Sequence, residues 1–67
     1  MKRKEIVKVE RYFPEGAKYL LLDWFETDNE IARTIEIIPR ERLVIIECDK
    51  EQEEPVKNVL RDIFLNC

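Results

Sequence analysis

A small α+β domain with the order strand, helix, strand, strand, helix is what the sequence predicts, and three observations predict it. Residues Ile6 to Phe13 alternate in polarity. The run "RLVIIEC" (Arg42 to Cys48) is short, β-branched and flanked by charge. Val56, Val59, Leu60, Ile63 and Phe64 recur at the spacing of one helical stripe.

In the first strand, Val7, Val9 and Phe13 share a face with Arg11, while Ile6, Lys8, Glu10 and Tyr12 take the other. The next stretch, "FPEGAKYLLLDWFETD" (Phe13 to Asp28), is more ambiguous, because a short apolar run suits a buried strand or a helix. Ala17, Leu20, Leu21, Trp24 and Phe25 fall at i, i+3, i+4, i+7 and i+8, with Pro14 and Glu15 at the start. A strand would put Asp23 beside Leu21 and Phe25, whereas a helix keeps Lys18, Asp23 and Glu26 off the stripe. The helix is the better reading. Tyr19 and Leu22 then lie outside it, as scattered surface residues or a second contact face.

"IARTIEII" (Ile31 to Ile38) is β-branched and reads as a strand. "PRER" after it supplies a four-residue turn, so the segment pairs with Arg42 to Cys48 as a hairpin. Glu53 and Glu54 precede the last helix, and Pro55 stands where a first turn begins. Leu65 falls off its stripe. The expected architecture is a three-stranded, antiparallel-type sheet with both helices on one face. Its bare face would carry some of Ile6, Tyr12, Leu43 and Ile45, depending on register.

Sixty-seven residues make one domain with a marginal core. Residues 1–4 are expected to form a flexible basic arm. Cys48 and Cys67 are far apart with no CxxC spacing, and the chain has no His, so neither a disulfide framework nor a metal is expected. Cys48 reads as a small core residue and Cys67 as exposed. Charged residues are 40% of the chain and the net charge is −3, with no Ser. That bias is typical of ion-pair-rich, heat-adapted proteins. Apolar runs such as Tyr19 to Leu22 are soon broken by charge, so no membrane span or signal peptide is expected. A cytoplasmic location with reduced thiols is the expectation.

Catalytic material is scarce. Without Ser or His there is no nucleophile–base pair, and Thr27 and Thr34 have no motif around them. Glu47 with Asp49 and Asp28 with Glu30 are carboxylate pairs of the kind that dense charge makes by chance. A single Gly16 excludes a phosphate-cradling loop. Neither enzymatic activity nor a cofactor is expected. For RNA, the sequence lacks a GxxG loop and an aromatic RNP-type strand. Lys2, Arg3 and Lys4, with Arg40 and Arg42, are the only basic cluster, and the first three are the candidate phosphate contacts.

A strand running into Phe13-Pro14, a helix with Ala17 early in it, a strand pair ending in "LVIIEC", and a last helix with Asn58 and Arg61 resemble the small dimer-forming subunit of the KEOPS complex, the Pcc family. The resemblance runs from about Ile6 to Phe64. Val59 stands where the family commonly has Ser after the Asn, and the chain is shorter than usual, which leaves room for a divergent archaeal paralogue. The resemblance implies a non-catalytic subunit that pairs through its sheet as a homodimer or with a paralogous small subunit. It implies docking to an ATPase-fold catalytic subunit that modifies tRNA to threonylcarbamoyladenosine, with tRNA contacted indirectly at most. Tyr19, Leu22 and Leu65, off the stripes, and Leu43 and Ile45, on the bare sheet face, are then the candidate partner contacts. The alternative is an unrelated interaction or homo-oligomerising domain.

Overall fold

In the computed structural model, residues 5–27 and 30–66 are described. Strand β1 spans Ile6–Tyr12, helix α1 Ala17–Thr27, β2 Thr34–Ile38 and β3 Leu43–Asp49. A 3-10 turn, Lys50–Gln52, leads into helix α2, Glu53–Leu65. The fold is the α+β arrangement expected, in the order β-α-β-β-α. The three strands are antiparallel and lie in the order β1-β3-β2. β3 is therefore central, and β1 and β2 run parallel to each other on either side of it.

Register decides which residues form the core. Val9 lies opposite Ile46, which lies opposite Ile35; Arg11, Val44 and Ile37 form the next row on that face. Val9, Val44, Ile46 and Cys48 are buried there with Ala17 and Leu21 of α1 and Val56 and Leu60 of α2. All four strand residues alternate onto one face, so both helices pack on that side. Burying a Leu or Val side chain contributes about 1.5–3 kcal/mol.

Each boundary has a local cause. Glu15 and Gly16 make a type II turn, closed by the Ala17 N–H donating to the Pro14 carbonyl at 3.1 Å, with Gly16 at φ 94°. That turn holds the start of α1 back to Ala17, two residues after Glu15. The β2–β3 loop is the expected four residues, Pro39 to Arg42, with Pro39 at the favoured second position of a turn closed by Glu41 N–H to Ile38 C=O. Arg42 reverses the chain in the left-handed region, φ 53°.

Two elements depart from the pattern the sequence predicts. Leu20 was expected on the buried stripe of α1, yet it is 42% exposed, and Leu22 is half-buried instead. At about 100° per residue, the two flank Leu21 on opposite sides, and the helix is rolled toward the Leu22 side. The strand expected from Ile31 pairs in register only from Thr34; Arg33 still reaches β3, its N–H donating to the Glu47 carbonyl at 2.7 Å and its Nε to Asp49 Oδ1 at 2.8 Å.

Candidate interaction surface

The face of the sheet away from the helices carries all four of Ile6, Tyr12, Leu43 and Ile45. Cross-strand pairing arranges this face in rows. Tyr12, Leu43 and Ile38 form one apolar row. Glu10, Ile45 and Glu36 form the next, with an apolar centre between two acids. Lys8, Glu47 and Thr34 form a polar row, in which the Thr34 hydroxyl donates to Glu47 Oε1 at 2.8 Å. Among the described residues no helix covers this face. Tyr12 is 73% exposed and Ile6 52%, while Leu43, Ile45 and Ile38 are shielded only in part by their sheet neighbours.

The outer edge of β1 is the second feature. The Phe13 N–H donates to the Arg42 carbonyl at 2.7 Å, and the Lys50 N–H to the Glu5 carbonyl at 2.9 Å. These bonds bracket β1 and set the alternation between them. Val7, Val9 and Arg11 direct their backbone groups toward β3. Ile6, Lys8, Glu10 and Tyr12 direct theirs outward, where no described strand pairs with them.

Above that edge, α2 and β1 bound an open cleft of about 480 Å³, lined by Arg11, Lys57, Leu60, Arg61, Phe64 and Leu65 among others. Leu65 is 75% exposed and Tyr19, on α1, 76%. The sequence-derived contact candidates thus fall on separate surfaces. Leu43 and Ile45 share the open face, Leu65 borders the cleft, and Tyr19 and half-buried Leu22 belong to α1. The β1 edge and the cleft were not singled out from the sequence, because both depend on which strand lies at the centre of the sheet. The cue available there was the alternation of Lys8 and Glu10 on one face of β1.

The described residues offer little else for chemistry. No polar or charged side chain is buried, and no cluster of three or more His, Cys, Asp or Glu could hold a metal. Glu47 is half-exposed and hydrogen-bonded to Thr34, and Asp49 is engaged by Arg33. Cys48 is sealed in the core, where burial pushes its thiol above the ordinary value, with the Glu53 and Asp49 carboxylates pushing the same way. It stays protonated near neutral pH and is a packing residue. Trp24 packs against the core, with Phe25 edge-on to it at 6.5 Å. Lys2, Arg3 and Lys4, the expected basic arm, lie outside the described residues, as do Asp28 and Cys67. No helix is long and apolar enough to cross a membrane among the described residues. No family model, curated protein or solved structure matches the chain.

Proposed function

We propose that the chain is a non-catalytic protein–protein interaction subunit that works through its sheet. The observation that carries this reading is the uncovered row of Tyr12, Leu43 and Ile38, next to Ile45, on the face opposite both helices. A chain this short has little apolar side chain to spare, and leaving these in water forfeits burial that a partner restores. The partner is another protein: Glu10 and Glu36 flank Ile45 on this face, and acids repel nucleic-acid phosphate.

The more specific form of the proposal is a small subunit of KEOPS, or its divergent archaeal paralogue. Its support is the sequence pattern at Phe13-Pro14, Ala17, Asn58 and Arg61, together with the β-α-β-β-α order that the resemblance implies. In that role the chain pairs with itself or a paralogue and docks an ATPase-fold catalytic subunit in the cytoplasm. The test is affinity capture of the tagged chain from its source cells, read by mass spectrometry, beside an Ile45→Glu variant. Recovery of a tRNA-modifying ATPase-fold enzyme with its kinase-like companion, lost in Ile45→Glu, supports the KEOPS form. Recovery of the chain alone removes that form.

A further inference from the structure

We infer that the cleft between α2 and β1 binds a small amphipathic anion: a carboxylate whose head lies between Arg11 and Arg61 and whose apolar body lies along Leu60, Phe64 and Leu65. This concerns the helix side of the sheet and does not rest on the proposed interaction role.

Arg11 stands in an unusual place for a charge. Along β1 it shares a face with Val9 and Phe13, which are 2% and 7% exposed, and register sets it opposite Val44 of the core. A guanidinium cannot follow those neighbours inward without an acid to meet it, and Arg11 forms no ion pair among the described residues. Its Nη1 donates instead to the neighbouring Glu10 carbonyl at 2.7 Å, and the side chain lines the cleft.

The helix supplies the second guanidinium. Glu54, Asn58, Arg61 and Leu65 recur at i, i+4, i+7 and i+11 and form one line along α2. Arg61 also has no ion pair among the described residues, so two unpaired arginines line one cleft. Lys57, the third cation there, differs, because Glu53 Oε2 holds its Nζ at 3.3 Å. The acid on the lining is Glu54, which lies about 10 Å from Arg61 along the helix axis. The chain as a whole carries a net charge of −3, so this cluster runs against its overall charge and attracts an anion locally. The carbonyl end of α2 opposes that attraction, which leaves the two guanidiniums as its source.

The surroundings choose the class of anion. Guanidinium groups fit a carboxylate through paired N–H···O bonds. Beside them Leu60 is 1% exposed, Phe64 is half-buried and Leu65 is 75% exposed. An apolar chain attached to the carboxylate covers Leu65 and Phe64, which a wholly polar ion leaves in water. The volume, about 480 Å³, is that of a small-molecule site.

The test is titration of the full chain with sodium octanoate, followed by amide chemical shifts in solution NMR. Saturable shifts should cluster at Arg11, Asn58, Arg61 and Leu65, with a dissociation constant on the order of millimolar. Octanamide, which has the chain without the charge, and acetate, which has the charge without the chain, should each bind roughly 10-fold more weakly. Arg11→Gln and Arg61→Gln should each weaken octanoate roughly 10-fold. Arg40→Gln removes an exposed cation from the β2–β3 loop and should leave binding within about twofold. The same spectra report whether each variant stays folded. Arg11→Lys serves as a second variant at that position: it keeps the charge, loses the fork, and should bind more weakly than the native chain and more tightly than Arg11→Gln. No saturable shifts at these positions, octanamide or acetate binding as well as octanoate, folded arginine variants that bind like the native chain, or equal losses at Arg40 and Arg61 would overturn the inference.

Discussion

Gly16 is constrained by its backbone and not by its surroundings. Its φ of 94° disfavours a side chain for backbone reasons alone, since a Cβ added there would meet nothing within 4 Å. Gly16→Ala should therefore cost about 1 kcal/mol, the left-handed penalty less the entropy gained by restricting the unfolded chain. Urea unfolding checks this, and an unchanged midpoint would refute it. Cys48 gives a pH prediction. Its folded thiol ionises above its ordinary value of 9.0, so between the two values the unfolded chain holds fewer protons. Stability should then fall as pH rises through about 9, and Cys48→Ala should lack that part of the slope in denaturation midpoints. The core role of Cys48 was legible in its sequence setting, at the end of a β-branched run. The exposure of Leu20 was not, because a five-residue stripe fixes a helical face without fixing how far the helix rolls on the sheet.

At the scale of elements, that roll is measurable. Leu21 is fully buried and Leu20 is 42% exposed. Leu21→Ala should cost about 2–5 kcal/mol, and Leu20→Ala should stay within about 0.5 kcal/mol. Comparable losses at both positions would restore the stripe as first read. Helices α1 and α2 were legible because apolar residues repeat at helical spacing, but their starts were not: Pro14 lies three residues before α1, and α2 begins at Glu53, two residues ahead of Pro55. The hairpin was legible from Pro39 and its short turn. The 3-10 turn at Lys50–Gln52 was not, since "KEQ" has no local signature that separates it from the first turn of α2. Among the described residues, the ion pairs Arg33–Asp49 at 2.8 Å, Arg42–Glu15 at 3.9 Å, Lys50–Glu5 at 3.7 Å and Lys57–Glu53 at 3.3 Å all have solvent-accessible side chains. Each contributes at most about 1 kcal/mol at room temperature, so they trim the elements and do not hold them.

For the whole molecule, strand order was the quantity hidden from sequence. Nothing local in Ile6–Tyr12 states that its neighbour is β3 and not β2; long-range packing decides that, and the free edge follows from it. The central place of β3 has one more consequence, which concerns the chain while it is being made. Of the described strands, β3 is the last to leave the ribosome and lies between the other two. A nascent chain that ends before residue 43 carries two strands with nothing to pair with and an apolar helix with no sheet beneath it. Formation of the sheet therefore waits until β3 has emerged, and until then the apolar face of α1 stays uncovered.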